Sequence, residues 1–264
     1  MSAPADGLPD LVTLVRRLRA DCPWDAAQTP LSMRPYLTEE LYELLDAIDA
    51  GDGPRQDEEL GDLLFVVLLL AEMAGEAGRG GVDAVAAGIH AKMVRRHPHV
   101  FGEEPRRESG SIAAWEARKA ASRAGGGRLD GVPRALPALL RAHRQAEKAA
   151  AVGFDWPDAA GVLAKVEEEL GELRAALASG EAAAVAHEYG DTLMALASLG
   201  RHIGASPEES LRSANDRFST RFRHMERIAA ARGLALDALG AAALDDLWGE
   251  AKAAEAAAAA EAVP

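Results

Sequence analysis

The chain has 264 residues, 48% of them hydrophobic, with 29 Lys and Arg against 42 Asp and Glu and a formal charge of −13. That length suits one large domain or two of ordinary size, and the hydrophobic share excludes wholesale disorder. So acidic a chain repels phosphate backbones, which argues against nucleic-acid binding; a small anionic substrate would need a bridging cation or a local basic cluster.

The first residues, MSAPADGLPDL, lack the basic start and apolar run of a signal peptide. Leu11, Leu14, Val15 and Leu18 then follow the i, i+3, i+4, i+7 spacing of an amphipathic helix. Cys22-Pro23-Trp24-Asp25 precedes the next helical pattern, Leu37, Leu41, Leu44, Leu45 and Ile48. Cys22 is the only cysteine, so no internal disulfide can form, which suits a reducing cytoplasm. No candidate base accompanies it as a nucleophile. The longest apolar stretch, Leu63 to Ala71, is far short of the ~20 residues of a membrane span and reads as a buried helix segment. The expectation is a cytoplasmic protein with no membrane association.

Between Gly102 and Pro137 the chain turns polar and rich in glycine and proline, with IAAWEARKAA as a possible short helix within it. Farther on, Ser206-Pro207-Glu208-Glu209 reads as a capped helix start. Gly51, Gly180, Gly204 and Gly233 stand where helices should stop. Alternating β-branched runs are absent, so the reading is all-α. It divides into an N-terminal helical module (1–119), a linker (120–136), a C-terminal helical module (137–250) and an Ala/Glu-rich tail (251–264) to which no function is assigned.

An internal repeat organises the two modules. Glu40, Glu43, Glu59 and Asp62 recur as Glu169, Glu172, Glu188 and Asp191, each 129 positions later. Residues three apart share a helix face. Glu40 and Glu43 therefore project together, as do Glu59 and Asp62, and a short turn near Gly51 to Pro54 would fold the two helices antiparallel. Four carboxylates forced together beside a core repel one another unless protonated or neutralised by cations. One ExxE pair would be a solvated face; two pairs on successive helices, repeated at constant offset, point to metal. Hard oxygen ligands without His or Cys favour Mg²⁺, with Mn²⁺ as a substitute.

Rival signatures fail. No histidine has a glutamate three residues before it, as a di-iron bundle requires, and there is no adjacent His-Asp pair and no P-loop. His90, His143, His187, His202 and His224 show no metal-ligand spacing.

Basic residues follow each acidic set. Lys92, Arg95, Arg96 and His97 do so in the first half, with the first three placed on one helix face. Asn215, Arg217 and Arg221 do so in the second. Guanidinium forks match phosphate oxygens, although a basic helix end can also serve the helix dipole. Trp24, and Trp156 of Gly153-Phe154-Asp155-Trp156, could stack on a base or anchor packing.

Together, CPWDxxQT, EExxE, ELGDLLF and KxxRRHPHVF in the first half, and VGFDW, EEELGEL, EYGD and ANDRFSTRF in the second, resemble the MazG family in its two-domain form. The resemblance spans nearly the whole chain. It implies the all-α NTP pyrophosphatase fold, a homodimer, and hydrolysis of nucleoside triphosphates to NMP and pyrophosphate with Mg²⁺, as house-cleaning of the nucleotide pool. Narrower relatives of the fold act on dUTP, dCTP or phosphoribosyl-ATP, and a non-catalytic nucleotide-binding module is the more distant alternative. Carried over by position, the metal ligands are Glu40, Glu43, Glu59 and Asp62, then Glu169, Glu172, Glu188 and Asp191. Glu39 and Glu168 are spare catalytic carboxylates. Trp24, Lys92, Arg95, Arg96, His97, Asn215, Arg217 and Arg221 face the substrate. Thr220 stands where an arginine pair would ordinarily begin in the second half, which departs from the pattern.

Overall fold

The computed structural model describes residues 7–102 and 127–261, with side chains as far as residue 256. The chain forms two compact units, Met1–Ala124 and Gly125–Pro264. Among the described residues all regular structure is helical. The IAAWEARKAA segment lies outside the described residues, as do residues 120–126.

The first unit contains α1 (Leu8–Asp21), α2 (Pro23–Ala27), α3 (Arg34–Ala50), α4 (Gly53–Glu76), α5 (Gly81–Arg96) and α6 (Pro98–Phe101). Its backbone is the α3–α4 hairpin. Gly51 leaves α3 at φ 66, a left-handed cap that glycine adopts without a side-chain penalty, and Asp52 caps α4 by accepting from the Arg55 N–H. The two-residue connection sets the helices side by side and antiparallel. Val15, Met33, Val66, Leu68, Leu69 and Met73 form the core between α1, the start of α3 and α4. Leu69 is fully buried, so truncating it to alanine should cost about 2–5 kcal/mol. The apolar run from Leu63 to Ala71 is helical but buried on one face only: Val66, Leu68, Leu69 and Ala71 are buried, whereas Leu64 and Val67 are exposed, because a helix turns successive side chains to different sides.

The periodic stripes are only partly covered. Val15 and Leu44 are buried, whereas Leu14, Leu41 and Ile48 are exposed. An apolar arc wider than one neighbouring helix can cover leaves its far side in solvent.

The second unit contains α7 (Ala138–Ala150), α8 (Ala159–Ser179), α9 (Ala182–Ile203), α10 (Pro207–Ala231) and α11 (Ala241–Glu261). The α8–α9 hairpin repeats α3–α4: each first helix ends 129 positions from its counterpart, at Ala50 and Ser179, and each second helix begins so, at Gly53 and Ala182. Gly180 closes α8 at φ 74. Ser206 caps α10 through the Glu209 N–H, at 3.4 Å. Met225, Ala229, Leu247 and Ala251 make a second core between α10 and α11. The Ala/Glu-rich tail therefore contributes more than the sequence suggested. Ala251 lies one helical turn beyond Leu247, on the same buried face, and is wholly inaccessible.

Candidate metal centres

In the first unit, α3 supplies Glu40 and Glu43, and α4 supplies Glu59 and Asp62. The hairpin brings Glu40, Glu59 and Asp62 together with ligand oxygens within 4.8 Å of one another. Burial, then the charges of Asp62, Glu43, Glu59 and Glu39, hold the Glu40 carboxyl above its ordinary range. Glu59's charge, then burial, does the same to Glu43. Glu43 thus belongs electrostatically to the set. Glu59 is buried, and Arg55 Nε, one turn earlier on α4, lies 3.3 Å from its carboxylate.

In the second unit, Glu169 and Glu172 on α8 and Glu188 on α9 bring their oxygens within 4.8 Å of one another. Glu169 is buried, and its Oε2 has no hydrogen-bond partner among the described residues. A buried carboxylate oxygen with no donor costs free energy until a proton, a donor or a cation reaches it. The oxygen-rich sets of both units fit a hard divalent cation.

Two residues join the second set that sequence reasoning did not place there. Lys165, one turn before Glu169, lies 2.7 Å from Glu169 and 2.8 Å from Glu168, and these bonds raise its pKa. Its i, i+4 spacing to Glu169 was the available signal. His187 Nδ1 lies 2.8 Å from Asp191 and 3.8 Å from Glu188. Spacing alone gave the histidines no ligand set, but in the structure His187 lies one helical turn from Asp191 on α9 and next to Glu188, and the three bring one ligand atom each within 4.8 Å. A search for histidine paired with histidine or a preceding glutamate passes over this arrangement.

Beside the second set lies a cavity of about 390 Å³, lined among others by Phe154, Asp155, Trp156, Lys165, Glu169 and Asp191. That is within the range, about 300–1,000 Å³, typical of small-molecule sites. Asp155 anchors the wall carrying Phe154 and Trp156. Burial would raise its pKa, but hydrogen bonds from Arg201 and His202, the latter at 3.2 Å, outweigh this and hold it below the ordinary carboxylate value.

Glu39 is exposed and lines a shallow depression with Arg34, Thr38 and Tyr42, to one side of the first set. Glu168 is exposed and tied to Lys165. The Trp24 ring meets Tyr36 edge-on at 5.6 Å, near the start of α3. Lys92, Arg95 and Arg96 do not share one environment: Arg95 is exposed and Arg96 buried, because consecutive helical residues point about 100° apart. His97 Nδ1 bonds the Met93 carbonyl at 2.7 Å. In the second unit Asn215 is exposed, and Arg217 donates to Ser213 on its own helix at 2.7 Å. Arg221 Nε meets Glu255 of α11 at 2.5 Å. Among the described residues, neither arginine is ion-paired with the second carboxylate set.

A duplicated helical hairpin that gathers carboxylates from both of its helices defines an all-α protein with sites able to hold a divalent metal. Residues 28–101 match the MazG nucleotide pyrophosphohydrolase domain. Over 251 residues the chain is 42% identical to the nucleoside triphosphate pyrophosphohydrolase of Escherichia coli (strain K12), covering 92% of this chain and 95% of that protein. It is 40% identical over 247 residues to the nucleoside triphosphate pyrophosphohydrolase/pyrophosphatase MazG of Thermotoga maritima, covering 92% and 94%. A shorter match, 38% over 160 residues, joins it to the nucleoside triphosphate pyrophosphohydrolase of Mycobacterium tuberculosis, covering 58% of this chain and 49% of that protein. The chain belongs to the MazG family.

Proposed function

We propose that this chain hydrolyses nucleoside triphosphates at the bond between the α and β phosphates, giving NMP and pyrophosphate, with Mg²⁺ as the metal and Mn²⁺ as a substitute. The observation that carries the reading is the buried Glu169 Oε2, without a hydrogen-bond partner among the described residues, in a three-carboxylate cluster whose Glu169 lines a ligand-sized cavity. The names of the relatives agree with it.

Glu40, Glu43, Glu59 and Asp62 would hold metal in the first unit, and Glu169, Glu172, Glu188 and Asp191 in the second. A metal held there would supply Lewis-acid chemistry, neutralising phosphate oxygens and making the α-phosphorus more electrophilic. Phe154 and Trp156 offer aromatic surface to a base or sugar, and Lys165 offers its ammonium to a phosphate at the cavity rim. Water attacks the α-phosphorus in line, the bridging P–O bond breaks, and the electron pair leaves with pyrophosphate. In this reading Glu39 and Glu168, exposed next in sequence to a carboxylate of each set, take the proton of the attacking water. Arg217 and Arg221 reach phosphate in this reading once Arg221 exchanges Glu255 for an anionic oxygen. Lys92, Arg95, Arg96 and His97 play the corresponding part in the first unit, and Trp24 lends its exposed ring.

The reading includes a homodimer. Leu60, Leu64 and Val67 on α4 are exposed at i, i+4, i+7, and Tyr189, Leu193 and Leu196 repeat them on α9, each 129 positions later. A second copy of the chain would cover such apolar stripes. It also extends to house-cleaning of the nucleotide pool in the cytoplasm, with nucleoside triphosphates rather than nucleic acid or membrane as partner. No described helix is long and apolar enough to cross a membrane.

The test is product analysis across a panel of nucleotides. NMP and pyrophosphate should appear first, and excess chelator should abolish turnover. NDP and orthophosphate as initial products, or full activity in chelator, would overturn the reading.

A further inference from the structure

The first carboxylate set is built from oxygen alone, and the second is not. His187 Nδ1, Glu188 and Asp191 bring one ligand atom each within 4.8 Å, and Glu188 also belongs to the Glu169–Glu172–Glu188 group. The two trios thus share Glu188, and one of them brings a nitrogen donor. At the equivalent position, 129 residues earlier, the first half carries Glu58.

We propose that His187 is a metal ligand, making the second set a mixed nitrogen–oxygen site that prefers Mn²⁺ or Co²⁺ over Mg²⁺, while the first set keeps the all-oxygen preference. The inference rests on the reading above that the carboxylates hold metal.

Three observations carry it. Neighbouring donors around a divalent ion of octahedral geometry, each at about 2.1 Å, lie about 3 Å apart. The His187–Asp191 and His187–Glu188 separations, 2.8 and 3.8 Å, bracket that spacing. Second, the trio that shares Glu188 holds a buried oxygen suited to a cation: the Glu169 side chain is 7% exposed, its Oε1 meets Lys165, and its Oε2 has no hydrogen-bond partner among the described residues. Third, an ion pair alone is a weak reason for the imidazole to be there. The ring is 69% exposed, and exposed pairs contribute little. A neutral imidazole donor, in contrast, raises affinity for later first-row ions far more than for Mg²⁺, which binds oxygen ligands.

The experiment uses the full chain loaded with Mn²⁺, read by pulsed EPR for coupling to a directly bound ¹⁴N and by titration for the ratio of Mn²⁺ to Mg²⁺ affinity. Wild type should show the ¹⁴N coupling. His187→Glu, which restores the residue type of the first half, should abolish it and narrow the affinity ratio about tenfold. Glu58→His in that background should bring the coupling back, now from the first set. Mn²⁺ bound with no ¹⁴N coupling in wild type, or coupling unchanged in His187→Glu, overturns the inference and leaves the carboxylate reading standing. Absence of Mn²⁺ binding altogether overturns both.

Discussion

Lys165 sets its ammonium 2.7 Å from Glu169, one helical turn away on α8, where the first half carries Tyr36 on α3. The two hairpins share two gathered positions, Glu40 with Glu169 and Glu59 with Glu188, complete each trio differently, with Asp62 and with Glu172, and balance the charge with cations from different places. In the first unit the balancing group is Arg55, on α4 beside Glu59; in the second it is Lys165, on α8. Ala184 stands at the repeat position of Arg55.

A tethered ammonium competes with a divalent cation for the same oxygens. Lys165→Gln should therefore tighten metal binding by the second set, roughly three- to tenfold, as a nearby positive charge is removed. The same change should raise KM, because the cavity loses its rim cation. Isothermal titration with Mn²⁺ beside steady-state kinetics checks both, and an unchanged metal affinity would count against the competition.

Glu43→Gln and Glu172→Gln each remove one carboxylate from one set. Together they should abolish hydrolysis, by about 100-fold or more. Activity surviving in one single variant belongs to the other unit, so turnover and metal titration on both singles and the double assign the labour. A double variant that turns over like wild type would place the chemistry on other residues.

Leu64 and Leu193 occupy the same place in the two exposed apolar stripes. Leu64→Glu with Leu193→Glu puts a charge in the middle of each. If a second copy covers those stripes, sedimentation equilibrium should show a shift from dimer to monomer. A wild type that is already monomeric at micromolar concentration would remove the dimer from the reading.

Arg19 and Glu76 tie α1 to the end of α4 at 2.6 Å, and their hydrogen bond is the main cause holding the Glu76 carboxyl below its ordinary value. A lowered folded-state pKa stabilises the fold above the unfolded value, near 4.3, and the contribution disappears as pH falls through the folded value. Glu76 is half exposed, so Glu76→Gln should cost only about 0.5–1 kcal/mol near pH 7, and progressively less as pH falls through the lowered folded-state value. Arg19→Met should cost more, about 1–3 kcal/mol, because the guanidinium also donates to the backbone carbonyls of Asp25 and Gln28. Urea unfolding of the two variants across this pH range measures the difference.

The helices, the two hairpins and the pairing of ExxE with ExxD were all legible in the residues. The 129-residue repeat carries through to the helix ends, because i, i+3 spacing, caps and glycine stops act over one or two turns of the same chain. Other features depend on what each face meets after folding. Leu44 is buried and Leu41 exposed on one stripe. Arg221, a phosphate contact by sequence pattern, meets Glu255, 34 residues away, because α11 packs along α10. Glu169 is left with one oxygen on Lys165 and the other without a partner among the described residues, and His187 turns onto Asp191. Local periodicity determines which residues share a face; only the tertiary structure decides what that face touches and how much water reaches it, and burial and partners then set the charge a carboxylate can carry.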